Sequence, residues 1–228
     1  MRNAIEIGND FIVTTDNSGG IGEKAGDIVD VPDRVTAYFA ARVALFEQLS
    51  ANAEPVTVLI HNFSGSSSWE NYVQGVEDLF REAGLDVPAI SGSTETNIEL
   101  LQSAVAVTMI GKKKEVRPVA DLTWFTYGTP LVGDEVMTHA DEVASVRKIY
   151  EAIETGIVHR IWPVGSRGIA EEVRNMTQNN DAIVETKLDV TKSAGPSTVV
   201  LLAIPVAKIA EAKNLFGAHL DELHIEGF

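Results

Sequence analysis

The chain passes twice through the same kind of pattern, in which short apolar or alternating runs are followed by polar loops and by stretches with apolar residues every three or four positions. Ala4-Ile5-Glu6-Ile7 and Phe11-Ile12-Val13-Thr14-Thr15 flank the turn formers Gly8-Asn9-Asp10, which predicts an opening hairpin. A polar, glycine-rich loop follows. From Asp33, the positions Val35, Tyr38, Phe39, Ala41, Leu45, Phe46 and Leu49 predict an amphipathic helix ending near Ala51-Asn52. Pro55 to Ile60 is an apolar, valine-rich run with the length of a buried strand. Ser67 to Glu70 has capping-box spacing, and Trp69, Tyr72, Val73, Val76, Leu79, Phe80 and Ala83 continue it as a helix stopped at Gly84. After a second polar loop, Ser91 to Asn97, a strand over Ala104 to Ile110 closes the first half.

The second half restarts with a strand over Val119 to Tyr127 and a helix marked by Val143, Val146, Ile149, Tyr150 and Ile153, ending at Gly156. Gly165-Ser166-Arg167-Gly168 introduces a further helix. Val199 to Ile204 reads as a buried strand, and Pro205 suits the first position of a helix over Val206 to Phe216, with Gly217 as its stop. The pattern is mixed α/β, with two domains expected over residues 1–114 and 115–228. No fixed-period repeat interrupts it.

Composition narrows the chemistry. The 228 residues contain no cysteine, which excludes disulfide frameworks, thiolate metal sites and cysteine nucleophiles, and the cytosol is the natural compartment. Thirty-three acids against eighteen bases give a net charge of -15, unsuited to nucleic acid or anionic lipid. The single basic run, Lys112-Lys113-Lys114, reads as the solvated end of a strand. No stretch reaches the roughly 18 apolar residues of a membrane-spanning helix.

Four polar loops after apolar runs carry the candidate chemistry. In Thr14 to Lys24, a carboxylate at Asp16 precedes Asn17, three glycines (Gly19, Gly20 and Gly22) and Lys24. Glycines admit phosphate oxygens to backbone N–H groups, Asp16 is a hard oxygen ligand suited to Mg²⁺, and Lys24 can neutralise a transferring phosphate. A flexible turn with an exposed lysine is the plainer alternative, because neither the Walker A pattern nor the dinucleotide fingerprint is present. His61, in His61-Asn62-Phe63-Ser64-Gly65, is a general base or a structural histidine. Gly92, Ser93, Thr94 and Glu95 offer a glycine, hydroxyls and a carboxylate, or an ordinary turn. Gly165, Ser166 and Arg167 precede a helix whose N-terminus can hold an anion, or Ser166 simply caps it. The His-Glu-x-x-His and Gly-x-Ser-x-Gly patterns are absent, which disfavours metalloprotease and α/β-hydrolase readings.

Taken in order, these segments resemble the aminoimidazole ribonucleotide synthetase superfamily, which also contains thiamine-phosphate kinase, selenophosphate synthetase and a hydrogenase maturation protein. Thr14-Thr15-Asp16 to Gly22-Glu23-Lys24 looks like the family's first strand and glycine loop. Glu54 to Gly65, Glu82-Ala83-Gly84 and Ser91 to Glu95 resemble the next strand, helix and loop. Val146 to Tyr150, Val158-His159, Gly165 to Gly168 and Ala194-Gly195-Pro196 resemble the second domain. Within the superfamily, the combination of Asp16 to Lys24 with Ser91 to Asn97 is most similar to the short members associated with α-ribazole kinase of the cobamide lower-ligand pathway.

The resemblance implies a two-domain fold, a homodimer in which the first domains pair their sheets into a barrel, ATP near that interface and Mg²⁺-dependent phosphate chemistry. It implies metal ligation by Asp16 and Glu95, ATP contacts from Asn17, Gly19, Gly20, Gly22, Gly92, Ser93, Thr94, Gly165, Ser166 and Arg167, and catalysis by Asp16, Lys24 and His61. The acceptor is a nucleoside-like hydroxyl whose proton passes to His61 or to a carboxylate. ATP-driven cyclisation and nucleotide binding without turnover stand as alternatives. The sequence departs from the family where an Asn-Asp metal pair is usual on the first helix: it reads Ala41-Arg42-Val43-Ala44, with Glu47 the nearest acid after it, and Ser93 replaces an acid of the second loop.

Overall fold

The computed structural model of the chain describes residues 3–115 and 118–226. They form two compact units, Asn3–Glu115 and 118–226. In the first, β1 (Ile5–Glu6), β2 (Phe11–Gly19), β3 (Ile21–Gly22) and β4 (Val29–Asp30) precede helix α1 (Asp33–Ser50), β5 (Ala53–Asn62), α2 (Trp69–Ala83), β6 (Ala89–Thr94) and β7 (Ala104–Lys113). Five strands make one sheet in the order β1-β2-β7-β5-β6, antiparallel throughout except for the β5–β6 pair, whose crossover is α2. The short pair β3–β4 lies apart from it.

One face of this sheet packs on the helices. Ala37, Ala40, Ala41 and Ala44 are buried on α1, and so small a set of side chains lets the helix backbone sit close to the strands. Thr14 Oγ1 donates to the Ala44 carbonyl at 2.9 Å, and Gln48 Nε2 donates to the carbonyls of Ile12 and Met109 at 3.1 and 3.0 Å. Gly75 fixes the crossing of α1 and α2: a Cβ there would come within 2.1 Å of the Arg34 carbonyl. Tyr38 donates to Glu82 at 2.6 Å beside that crossing, and Arg34 pairs with Asp78.

Strand periodicity corrects three expectations. The Pro55 to Ile60 run is not buried on both faces: Val58 and Ile60 are fully covered, whereas Val56 is 45% exposed. Two segments expected as loops are strands for much of their length, since Thr14 to Gly19 continues β2 against β7 and Ser91 to Thr94 belongs to β6. The capping box at Ser67 does not form; Ser68 precedes α2 after one 3-10 turn and makes no side-chain cap bond.

The second unit contains β8 (Leu122–Tyr127), α3 (Glu135–Thr138), α4 (Val146–Glu154), β9 (Arg160–Pro163), α5 (Gly168–Thr177), β10 (Ile183–Glu185), β11 (Val200–Pro205), α6 (Ile209–Phe216), β12 (Leu220–Glu222) and β13 (His224–Glu226). A four-stranded antiparallel sheet runs β12-β8-β11-β9, and β10 pairs with β13. β11 is buried from Val200 to Ile204, as its unbroken apolar run predicts. Val164, Ile169, Val173, Ala182, Val199, Leu201 and Leu223 pack into one cluster beneath α5. No helix among the described residues is long and apolar enough to cross a membrane.

Candidate functional site

Side-chain parity sorts the candidates of the first unit onto two faces. Ile12 and Thr14 of β2 point under α1, and Asp16, two residues on, shares their face. Cross-strand register aligns Asp16 with Val107, Ile60 and Gly92, of which Val107 and Ile60 are fully buried. His61 aligns with Ala106, Asn17 and Ser93 and stands on the opposite, open face, where its Nε2 lies 3.3 Å from Thr108 Oγ1. Asp16 and His61 are thus divided by the sheet, and they do not meet at one reacting atom. Asn17 and Ser93 go with His61, Thr94 with Asp16.

Asp16 and Glu95 are also apart. Gly92 is three strand spacings from Asp16, about 14 Å at the usual inter-strand distance, and Glu95 lies just beyond the end of that edge strand. Glu95 Oε1 accepts the N–H groups of Asn97 and Ile98 at 2.6 and 3.2 Å, bonds that hold its carboxyl below the ordinary value. Glu47 is fully buried at the other end of α1, where it accepts the Asn3 N–H at 3.4 Å. Among the described residues, no group of three or more His, Asp or Glu side chains is disposed to hold a metal ion. The donor set does not fit a multi-carboxylate Mg²⁺ site.

The glycines differ from one another. Gly20 takes φ +72° and its N–H is already given to the Ser103 carbonyl at 2.8 Å. A Cβ at Gly22 would lie 2.4 Å from Ser103 Oγ and 2.9 Å from Asp33 Oδ1, and one at Gly92 would strike the Ile60 carbonyl at 2.0 Å. Gly22 and Gly92 are glycines because the chain packs against them, and Gly20 because of its left-handed backbone. Gly19 alone of the four has an open flank. Lys24 is likewise engaged, its Nζ donating to the Leu100 carbonyl at 2.8 Å and its N–H to Asp27 Oδ2 at 2.9 Å.

Residues that the sequence reading passed over join these segments. Asp27 accepts the Ser103 N–H at 2.7 Å; burial pushes its carboxyl up, but bonds from Ser103 and Lys24 outweigh burial and hold it below its ordinary value. Gln102 Nε2 donates to the Gly26 carbonyl at 2.7 Å. Asn62 is buried and donates to the Gly65 carbonyl and to Thr94 Oγ1 at 2.8 and 3.2 Å, while Glu95 N–H donates to the Asn62 carbonyl. The loops after β2 and β5 and the segment after β6 therefore do converge at one end of the sheet. A signal was present in Tyr72: a tyrosine inside the apolar stripe of a helix needs a partner for its hydroxyl.

In the second unit, Gly165 is buried and its carbonyl accepts the N–H groups of Gly168 and Ala194 at 3.2 and 3.1 Å. Ser166 does not cap α5, whose first turn has no side-chain cap bond. Arg167 extends from that end with its side chain 76% exposed, its nearest carboxylate being Glu171 at 3.7 Å. Elsewhere in this unit, a cleft of about 490 Å³ is lined by Lys187, Lys213, Asp221, Glu222 and His224 among others. Its lysines are paired with Asp221 and Glu222.

No protein-family model and no curated protein matches the sequence. Solved structures do match. Hydrogenase maturation protein HypE in its complex with HypF aligns over 97% of this chain and 85% of its own, with TM-score 0.64 and 13% identity. HypE in complex with ATP covers 97% and 78%, at 0.62 and 13%. Thiamine monophosphate kinase from Aquifex aeolicus covers 95% and 84%, at 0.63 and 11%. The chain has their fold. Both units take part in the match.

Proposed function

We propose that the chain binds and uses ATP, as a kinase that phosphorylates a hydroxyl of a small nucleoside-like acceptor such as α-ribazole. The observation that carries this reading is the end-to-end likeness to HypE, solved with ATP, and to a thiamine monophosphate kinase. ATP supplies an electrophilic γ-phosphorus, so the acceptor oxygen gains the P–O bond as the bridge to ADP breaks, and positioning with charge stabilisation does most of the work.

In this reading the polyphosphate approaches the open flank of Gly19. Asp16, one residue before Asn17, stands on the other face of the sheet from that flank. Lys24 clasps Leu100 and supports the segment from within. The proton goes to His61 or to a carboxylate, His61 being the candidate on the face that Gly19 shares. The sheet face that carries His61 bears half-buried Val13, Leu59 and Ile110 and, among the described residues, no helix of its own unit, which supports a homodimer formed by two such faces.

The experiment is incubation with ATP, Mg²⁺ and a panel of nucleosides, followed by mass analysis. The kinase reading expects ADP with a singly phosphorylated acceptor. Free phosphate alongside an unphosphorylated, cyclised or ligated product would transfer the assignment to the synthetase chemistry. That the described residues hold no cluster of three metal-ligating side chains favours a second reading, ATP binding without turnover, which expects saturable binding and no product with any acceptor.

A further inference from the structure

The buried polar side chains between the helices and the glycine segment form a single path of contacts. Ser64, 6% exposed, lies with Oγ 2.6 Å from the Tyr72 hydroxyl, to which its one proton can be donated, accepts the Ala104 N–H at 2.9 Å and has the Ala104 carbonyl 3.2 Å away. Tyr72, fully buried on α2, donates to Asp33 Oδ1 at 3.4 Å, and Asp33 is 3% exposed in the first turn of α1. The neighbour of Ala104 is Ser103, whose carbonyl takes the Gly20 N–H and whose own N–H is given to Asp27. Asp33 and Ser103 also form the surface on which Gly22 lies without room for a Cβ.

Burying a hydroxyl pair and a carboxylate here is costly unless their bonds are made, and apolar groups of the same size would fill the space without that cost. What the polar groups add is direction, since each bond fixes one loop against another. We infer that Ser64, held by Tyr72 and Asp33, is a positioning residue for the segment Gly19 to Lys24, setting its height through Ala104 and Ser103. The ligand of that segment rests on the ATP reading above; the positioning itself does not.

Amide exchange on the whole chain without ligand tests the positioning, and calorimetry with ATP well below the melting temperature tests its consequence. Ser64→Ala is expected to speed exchange of the Gly20 and Ser103 amides at least tenfold, with Tyr72→Phe acting in the same direction. Val76→Ala, a core truncation on the same helix as Tyr72, serves as the control for general loosening and is expected to leave those two amides slower than in Ser64→Ala at equal loss of melting temperature. ATP affinity is expected to fall about tenfold in Ser64→Ala and to return to within threefold in Ser64→Thr, which keeps the hydroxyl. Unchanged exchange at Gly20 and Ser103, or acceleration no greater than in Val76→Ala, overturns the inference whatever the nucleotide does. Wild-type chain that binds no ATP while these amides respond removes the ATP reading and leaves the positioning intact.

Discussion

The two glycine segments, Gly19 to Lys24 in the first unit and Gly165 to Gly168 in the second, look alike as sequence and differ as structure. In the first, the charged groups are turned inward on the chain: Lys24 is spent on the Leu100 carbonyl, and Asp27 on Ser103. In the second, the buried glycine carbonyl accepts two backbone N–H groups, and Arg167 lies exposed beside the start of a helix, paired with Glu171 at 3.7 Å. A glycine next to a cation is therefore two different devices, a clasp to the backbone in one place and an exposed helical ion pair in the other. The distinction lies in what each cation already touches.

The contrast can be broken most forcefully at Gly22. Replacing it with alanine sets a Cβ against Ser103 and Asp33, and the expected loss is about 3 kcal/mol in urea denaturation, as overpacking of a tight interior site commonly costs. A loss below about 0.5 kcal/mol, the range of ordinary surface changes, contradicts the packing described.

Asp27 sharpens the first half of the contrast through pH. Its carboxyl is held below its ordinary value of 3.8 in the folded chain, so it binds protons less readily there than when unfolded. The stability it contributes is complete above that ordinary value and is lost as pH falls through the depressed one. Asp27→Asn should lower stability at neutral pH and flatten the acid limb below about pH 4, which a pH series of melting curves reads directly; an unaltered acid limb counts against the clasp. Lys24→Ala is expected to cost about 1 kcal/mol of stability, the net worth of one hydrogen bond, and to change ATP affinity less than threefold. The smallest effect belongs to Gly19→Ala, whose Cβ enters open space: stability should stay within about 0.5 kcal/mol, and only nucleotide binding should notice.

Much of the architecture is legible in the sequence where periodicity is long. Helices α1 and α2, the strand β11 and the opening hairpin follow from apolar spacing and from the Gly8-Asn9-Asp10 turn, since burying those side chains requires those periods. Less legible were strand ends made of polar residues. Thr15 to Gly19 and Ser91 to Thr94 are strands because β7 and β5 supply their hydrogen bonds, a cause that lies outside the segment itself. The candidate site was legible only in part for the same reason. Which loops converge depends on sheet order, and whether Asp16 meets His61 depends on parity and register between β2 and β5, neither of which local spacing encodes. The residues that join the loops, Asn62, Ser64, Tyr72 and Ser103, resemble ordinary caps and core positions until their partners are in place.

Calorimetric titration of the whole chain with ATP, with and without Mg²⁺, tests the central claim most directly. The account predicts saturable binding that is weakened about tenfold in Ser64→Ala and kept in Lys24→Ala. Absence of heat from ATP under both conditions, in a chain that melts cooperatively, would contradict it.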